Sequence, residues 1–174
     1  MKRILYFILS LLCCGGSAFS QTETTELQTA YFYISGLNGP YYPERGFEIF
    51  KKYADQDMPY AMNALGILYQ SGTGVEIDYG QAAFWFKKAA EAGYPQGWYN
   101  LGMLYKYDYG FDQDFEKAFK SFRKAADMDF VNGKYATGYM LYKGLGCKQN
   151  YEEAFSLFLQ LHECLSLCTV KLSF

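Results

Sequence analysis

Apolar residues between Met58 and Gly93 recur at helical spacing in two separate stretches. The first stretch places its apolar side chains three and four positions apart, which predicts one face of a helix: Ala61, Ala64, Leu65, Leu68 and Tyr69. The second stretch shows the same spacing at Ala82, Phe86, Ala89 and Ala90. Glycines at 72 and 74 separate the two, and glycine readily adopts the left-handed geometry that ends helices. The pattern predicts two helices joined by a turn.

This pattern repeats along the chain with a period of 36 residues. Five sets of positions keep the step: Gly66, Gly102 and Gly138; Gly74, Gly110 and Gly146; Asp78, Asp114 and Asn150; Ala82, Ala118 and Ala154; and Phe86, Phe122 and Phe158. A fixed period of this length is typical of solenoids, because one helix pair cannot bury its apolar face alone. We therefore expect an all-α array of helix-turn-helix units.

The residue types at several positions of the repeated unit have physical explanations. A glycine in the middle of a helix costs about 1 kcal/mol relative to alanine, so the recurrence of Gly66 predicts the close approach of another helix. Asp78 precedes the second helix by one residue and is suited to cap it, with Gln81 completing a capping box. Gly93 is expected to end that helix, and Pro95 suits the first turn of the next one.

The period divides the chain into repeats. A degenerate first repeat spans 21–57, with helices expected at Thr25–Ser35 and Arg45–Gln56 after a short N-terminal tail, Gln21–Thr25. Full repeats follow at 58–93 and 94–129, a partial repeat at 130–165 and a tail at 166–174. Atypical terminal repeats are expected where one face caps the stack.

Residues 1–20 have the features of a signal peptide. Lys2 and Arg3 form a basic start, and Ile4–Leu12 is an apolar run too short to span a bilayer. Small residues at Ala18 and Ser20 match a cleavage site after Ser20. We expect an exported chain, periplasmic or secreted, that begins at Gln21; an uncleaved membrane anchor is the alternative.

The repeated string closely resembles the Sel-one-like repeat, a relative of the tetratricopeptide repeat. It contains Leu-Gly, Tyr, Gly-x-Gly, Asp, Ala, Phe and Lys-Ala-Ala in this order, and the resemblance covers about 45–158. It implies a right-handed α/α superhelix that binds other proteins, and in exported bacterial members it implies host contact or envelope assembly. After Phe158 the expected Lys-Ala-Ala is replaced by Gln160, Leu161 and His162, which leaves open a C-terminal cap or an altered repeat.

Composition narrows the choice of partner. The net charge is −2, and no basic stripe suited to phosphates is present in the sequence, so we expect no nucleic-acid partner. We expect a monomer that requires no cofactor and binds a protein, of the envelope or of a host, as an adaptor. An inhibitor or a chaperone-like role for one envelope protein is the alternative within the same class.

An enzyme is the alternative from another class, because Ser121 and Lys124 have the Ser-x-x-Lys spacing of penicillin-binding enzymes. The accompanying Ser-Asp-Asn and Lys-Thr-Gly elements are absent from the sequence, and some cysteine-rich relatives are labelled β-lactamases. We expect no catalytic residue, with Ser121 on the outer surface of its helix.

The cysteines outside the signal segment, together with the single histidine, suggest a metal site or a disulfide: Cys147, His162, Cys164 and Cys168. A second closely spaced cysteine pair, as in zinc sites, is missing from the sequence. In an exported protein a disulfide is the commoner fate of cysteines. With three cysteines after the signal segment, at least one is unpaired within the chain.

The expected binding surface is the groove lined by the first helix of each unit. Residues that point away from the apolar face of the first helices are Met62, Asn63, Ile67, Trp98, Tyr99, Met103, Lys106, Lys134, Tyr135 and Tyr139. Exposed Trp and Tyr in such a groove are typical binding hot spots. Packing between adjacent units is the alternative role for each of these side chains.

Overall fold

The structure is a computed structural model that describes residues 21–37, 39–107, 109–110 and 112–171. Eight helices and no strand occur in this part of the chain. In chain order they are α1 Gln21–Ser35, α2 Pro43–Ala54, α3 Pro59–Ser71, α4 Tyr79–Glu91, α5 Pro95–Lys106, α6 Phe115–Asp127, α7 Val131–Lys143 and α8 Tyr151–Lys171. The signal segment expected at 1–20 lies outside the described residues.

Each helix packs against its neighbours in sequence, so that four antiparallel pairs stack in chain order. The odd-numbered helices are the first helices of the pairs and the even-numbered helices are the second. The stack is a right-handed α/α superhelix, which confirms the predicted fold class. Helix α5 also contacts α7, so first helices of adjacent units lie side by side.

The repeated polar residue before each of the second helices α4, α6 and α8 is its N-cap; α2 instead begins at Pro43, without a side-chain cap. Asp78 Oδ1 accepts a hydrogen bond from the Gln81 N–H at 2.9 Å, and Asp114 Oδ1 accepts one from the Lys117 N–H at 2.9 Å. Asn150 Oδ1 accepts the equivalent bond from the Glu153 N–H at 3.1 Å. These bonds satisfy backbone donors that have no partner inside the helix. The starts of these three second helices are therefore set by their local sequence, as the repeat predicts.

The mid-helix glycines lie where a ring of the paired helix crosses them. A Cβ on Gly66 would come within 2.6 Å of the Phe86 ring, and one on Gly102 within 2.7 Å of the Phe122 ring. Gly138 and Phe158 repeat the contact at 2.9 Å. This confirms the predicted close approach. The phenylalanine of the second helix fills the space that the glycine leaves on the first.

Loop glycines join successive units. Gly74, Gly110 and Gly146 all have positive φ, between 66° and 73°. A Cβ on Gly74 would overlap the Pro43 carbonyl of α2, and one on Gly146 would overlap the Phe115 carbonyl of α6. The loop inside each pair thus packs on the first residue of the preceding second helix, and both φ and space require glycine.

The two ends of the array differ from the expectation. Helix α1 begins at Gln21, so the segment expected as a loose tail is helical. Its partner α2 runs over Pro43–Ala54 and covers Ala30, which is fully buried. At the other end α8 continues to Lys171, through most of the segment expected as a tail. Helical propensity continues past the last repeat signature, which residue matching to the repeat did not detect.

Candidate partner-binding surface

A row of side chains one repeat apart runs along α3, α5 and α7, namely Ile67, Met103 and Tyr139. Ile67 is exposed, whereas Met103 and Tyr139 are half-buried and pack against the apolar cluster that contains Phe122. Lys106 joins this row because its ammonium lies 5.3 Å from the centre of the Tyr139 ring. Ile67 and Tyr142 are 41% and 48% exposed, so apolar surface faces solvent here. We define the first-helix face as Ile67, Met103, Lys106, Tyr135, Tyr139 and Tyr142.

Tyrosines at the edge of this face pack on the second helices. The Tyr99 ring is half-buried, 5.6 Å from the Phe122 ring and 5.7 Å from the Phe130 ring. The Tyr135 ring lies 5.8 Å from Phe158 yet is 59% exposed. Tyr99 is therefore chiefly a packing residue, whereas Tyr135 combines packing with an accessible ring.

Met62 and Asn63 belong to the interior, contrary to the expected groove assignment. Met62 is 2% exposed and lies in the same apolar cluster as Trp85. Asn63 is 3% exposed, and its Oδ1 accepts a hydrogen bond of 2.8 Å from Asn100 Nδ2 of the adjacent first helix. Both side chains serve contacts inside the array, so neither presents a surface to a partner.

Trp98 and Lys134 also differ from the expectation. Trp98 turns away from the first-helix face toward α4 and α6, because it shares a helix face with Leu101 and Tyr105. The Lys134 ammonium pairs with the Asp129 carboxylate at 2.7 Å, and only 18% of the lysine side chain is exposed. The expected set thus divides between the first-helix face, the interior and the opposite side of the array.

Trp98 lies at the bottom of an open cleft between two second helices. The cleft has a volume of about 390 Å³. We define the α4–α6 cleft by its lining residues: Lys87, Glu91, Trp98, Leu101, Tyr105, Lys117, Lys120, Ser121 and Lys124. Four lysines and one glutamate border an apolar floor, which contrasts with the net charge of −2 for the whole chain.

The charges of the cleft are only partly compensated. The Lys117 ammonium is 3.0 Å from Asp114 Oδ2, and this hydrogen bond raises the pKa of Lys117 above its ordinary value. Lys120 pairs with Glu116, and Lys87 lies 3.8 Å from Glu91. Each pair joins residues three or four positions apart on the same helix surface, where an ion pair contributes little to stability.

Lys124 makes a contact of a different kind. Its ammonium lies 4.0 Å from the centre of the Trp98 ring, a cation–π arrangement. The lysine thereby covers the indole without a carboxylate partner among the ion pairs of the described residues. This contact, together with the Lys117 ammonium 5.6 Å from the centre of the Tyr105 ring, joins the rim of the cleft to its floor.

Ser121 is not on the outer surface, so that expectation is wrong. It is 6% exposed, and its hydroxyl donates a hydrogen bond of 2.8 Å to the Lys117 carbonyl oxygen. The apolar face of α6 is wide enough to include Ser121 beside Ala118, Phe122 and Ala125. The hydroxyl proton is used within the helix, and the Lys124 ammonium lies over an indole ring rather than in a described ion pair.

The candidate metal or disulfide cluster falls largely outside the described side chains, since those of His162, Cys164 and Cys168 are not included. Among the side chains that are described, no three His, Cys, Asp or Glu residues are grouped as a metal site. Cys147 is half-buried, and burial raises the pKa of its thiol. The nearby Glu153 raises that pKa further, whereas Arg123 lowers it.

No helix in the described ranges is both long enough and apolar enough to cross a membrane.

Comparison with family models identifies the repeat. The model described as Sel1 repeat matches residues 59–94, 98–130 and 132–161, which together make up more than half of the chain. The chain belongs to the Sel1 repeat family. Sel1 repeats are generally modules for protein–protein interaction and generally non-enzymatic scaffolds. This confirms the family predicted from the repeated string.

Solved structures of other Sel1 repeat proteins share the fold. A Sel1 repeat protein from Oxalobacter formigenes is 28% identical with a TM-score of 0.71, over 81% of this chain and 58% of that one. The protective antigen c5321 of uropathogenic Escherichia coli, which displays an SLR fold, is 31% identical with a TM-score of 0.74. That match covers 81% of this chain and 30% of the antigen. The chain thus spans less than two thirds of either relative.

More distant structures support the fold alone. The immunity protein Pa5087 from Pseudomonas aeruginosa is 22% identical with a TM-score of 0.57, over 81% of this chain and 53% of that one. A comparison with curated proteins finds no significant match.

The α4–α6 cleft was not predicted from the Sel1 repeat pattern. A signal was present in the sequence, because Ser121 occupies the repeat position of Trp85. The exchange of a large ring for a small hydroxyl indicates a change in packing. Only the structure shows that the change opens a cleft rather than letting neighbouring side chains collapse.

Proposed function

We propose that this Sel1 repeat protein is an exported adaptor that binds a protein of the envelope or of a host along the first-helix face. The observation that carries the proposal is exposed apolar surface on the first helices α3 and α7, at Ile67, Tyr135 and Tyr142. An exposed apolar patch rimmed by polar residues is typical of a site of protein–protein interaction. Helix α5 stands between α3 and α7 in the stack and contributes the half-buried side chains of Met103 and Lys106.

The chemistry of this face suits recognition of a folded protein or peptide. Tyrosine offers a flat apolar ring and a hydroxyl that accepts or donates a hydrogen bond, and it loses little conformational entropy on binding. Lys106 adds a cation between Tyr107 and Tyr139, 4.6 Å and 5.3 Å from the two ring centres. Central aromatic anchors with a polar surrounding are the usual arrangement of binding hot spots.

The test is a pull-down from envelope or host extract with the chain that begins at Gln21. The variant Ile67→Ala with Tyr142→Ala removes two exposed side chains of the first-helix face. We expect partner binding to weaken by about 2 kcal/mol, because truncation of hot-spot residues has this effect. Circular dichroism should show unchanged helix content, since both side chains are more than 40% exposed.

A matched control is available on other surfaces of the same unit. Ile77→Ala with Phe84→Ala removes the same kinds of side chain, 57% and 50% exposed, from the loop and from α4. This control should bind as the wild type does. Equal losses in both double variants, or undiminished binding in the first, would show that the first-helix face is not the interface.

Export is tested separately. The basic start, the short apolar run and the small residues before Gln21 support cleavage after Ser20. Mass spectrometry of the protein recovered from cells should find Gln21 as its first residue. Recovery of a chain that still begins at Met1 would refute the export proposal without affecting the binding test.

A further inference from the structure

Three pairs of successive second helices occur in the described part of the chain, and the residues at equivalent positions between them differ. In the cleft between α2 and α4, Trp85 and Met62 are buried in one apolar cluster, 8% and 2% exposed. The α4–α6 cleft has Ser121 and Trp98 at the same repeat positions. A small hydroxyl thus replaces the ring that closes the preceding cleft, and the indole is left at the bottom of an open space.

The cleft between α6 and α8 is closed in another way. Arg123 and Glu153 form an ion pair that joins these two helices, and each side chain is about one third exposed. The residues one repeat earlier are Lys87 and Lys117, on the two sides of the α4–α6 cleft. Two like charges cannot bridge the helices, so this cleft lacks both the ring and the ion pair that close its neighbours.

We propose that the α4–α6 cleft binds an acidic peptide segment of a partner protein, with a large apolar side chain of that segment on Trp98 and its carboxylates on the lysines. This surface lies on the opposite side of the array from the first-helix face. It is therefore a second binding site, and its failure would leave the first proposal intact.

Charge complementarity supports an acidic occupant. Lys87, Lys117, Lys120 and Lys124 border the cleft, against Glu91 alone among its lining residues. The lysines that pair with Asp114, Glu116 and Glu91 do so on exposed helix surface, where the pairs contribute little and can exchange for a partner's carboxylates. A carboxylate gains more when it also approaches Lys124, whose described contact is an indole ring.

The apolar floor of the cleft favours a large apolar side chain in the bound peptide segment. Trp98, Leu101 and Tyr105 supply apolar surface at the bottom of a cleft of about 390 Å³. A phenylalanine or leucine side chain would pack on the part of the Trp98 ring that Lys124 leaves uncovered, and apolar burial is a general source of affinity. The combination of an apolar floor and a cationic rim fits a side chain flanked by carboxylates.

A nucleic acid fits the surface less well. Nucleic-acid sites depend on many phosphate contacts, usually along an extended basic stripe, on a protein or domain of basic charge. This cleft is confined to α4, α5 and α6, and the chain has a net charge of −2. Single-stranded DNA therefore serves as a competing probe in the test.

The direct test uses the peptide acetyl-Asp-Glu-Phe-Glu-Asp-amide, which contains no tryptophan. The protein has two tryptophans, and Trp85 is buried, so a change in emission on titration reports chiefly on Trp98. We expect saturable binding that weakens as salt is raised. Absence of binding at about 1 mM peptide would overturn the proposal.

Lys117→Glu is the most informative variant. It places a carboxylate opposite Lys87, as Glu153 lies opposite Arg123, and it also creates the capping box seen with Asn150. We expect peptide affinity to fall by about tenfold or more while the variant stays folded, because the exposed Lys117–Asp114 pair that it loses contributes little to stability. Undiminished affinity in this folded variant would overturn the proposal.

A matched pair of double variants separates the cleft from general charge. Lys87→Gln with Lys124→Gln removes two cleft lysines, and Lys51→Gln with Lys88→Gln removes the lysines one repeat earlier. We expect about fivefold weaker binding for the first pair and little change for the second. Equal losses in both would indicate nonspecific attraction and would overturn a site at this cleft.

Control probes test the two parts of the ligand. The neutral peptide Asn-Gln-Phe-Gln-Asn and the anchorless peptide Asp-Glu-Ser-Glu-Asp, capped in the same way, should both bind more weakly than the full probe. Binding of single-stranded DNA in preference to the acidic peptide would assign the cleft to a nucleic acid and contradict the proposal, as would equal binding of the neutral peptide.

Discussion

Two neighbouring residues of α6 face different environments and vary differently among the repeats. Phe122 points into its helix pair, is 1% exposed and packs on Gly102. The same glycine–phenylalanine contact recurs in all three matched repeats. Ser121 points toward the α4–α6 cleft, and the equivalent residues are Trp85 and Leu157. The interior of the pair is constant, whereas the space between second helices changes from one unit to the next.

The difference follows from packing. Inside a pair, the helices are so close that a Cβ on the glycine would meet the phenylalanine ring. The glycine and the phenylalanine therefore each restrict which residue can occupy the other position. Between two successive second helices, a first helix forms the floor of the gap. That gap can be filled by a large side chain, bridged by an ion pair or left open. Packing inside the helix pairs therefore contributes most to the stability of the array, whereas the gaps between second helices can differ in the ligand that they bind.

The largest predicted effect comes from emptying the interior of a pair. Phe122→Ala should lower the free energy of unfolding by about 3–5 kcal/mol, because it removes a fully buried ring and leaves a cavity. Phe158→Ala should cost clearly less, since that ring is half-buried at the end of the array. Urea denaturation measures both values, and an equal cost would contradict this account of the end unit.

Filling the interior should also destabilise it. Gly102→Leu should cost about 1–3 kcal/mol, because the first added carbon already lies within 2.7 Å of the Phe122 ring. Gly39→Leu is the control, since a Cβ there would have no atom within 4 Å. Melting temperatures of the two variants are compared with wild type; a Gly102 variant as stable as the control would refute the steric role.

Breaking the bridge between second helices should have a smaller effect. Arg123→Ala removes the ion pair with Glu153, whose side chains are 35% and 34% exposed. After solvent screening the cost should be below about 1 kcal/mol. The difference from wild type in urea denaturation should shrink at high salt; a cost that salt leaves unchanged would assign the effect to packing of the arginine stem.

The smallest effect concerns a helix cap and depends on pH. Hydrogen bonds from the Lys117 N–H and ammonium hold the pKa of Asp114 below its ordinary value of 3.8. Because its pKa is lowered in the folded state, ionised Asp114 stabilises the fold above pH 3.8, and this stabilisation is lost as pH falls through the lowered pKa.

Asp114→Asn keeps a capping oxygen but removes this titration. Thermal melts should therefore show wild type slightly more stable near neutral pH, and the advantage should be lost as pH falls below 3.8 and through the lowered pKa of Asp114. Asn150 caps the next second helix without a carboxylate, so Asn150→Ala provides a cap deletion that involves no ionisation of the capping residue itself. An advantage of wild type over Asp114→Asn that persisted at low pH would contradict the assigned cause.

Much of the fold was predictable because its determinants lie close together in the sequence. The 36-residue period, the caps at Asp78, Asp114 and Asn150, and the contact between Gly102 and its paired helix all follow from local patterns. Each is enforced by backbone hydrogen bonding or by helix geometry that depends on residues within one repeat. The ends of α1 and α8 were missed, because terminal units depart from the repeat and their helical limits depend on packing.

The sequence by itself determined the helix pairs, their order and the Sel1 repeat family, since periodic spacing specifies which residues share a helix face. Only the tertiary structure decided which outward-pointing residues are accessible. Met62 and Asn63 are covered by neighbouring units, whereas Ile67 is not, although all three lie outside the predicted apolar face of one helix. The physical reason is that exposure between units depends on side chains one repeat away, and the volume at Ser121 and the charge at Lys117 leave one cleft open.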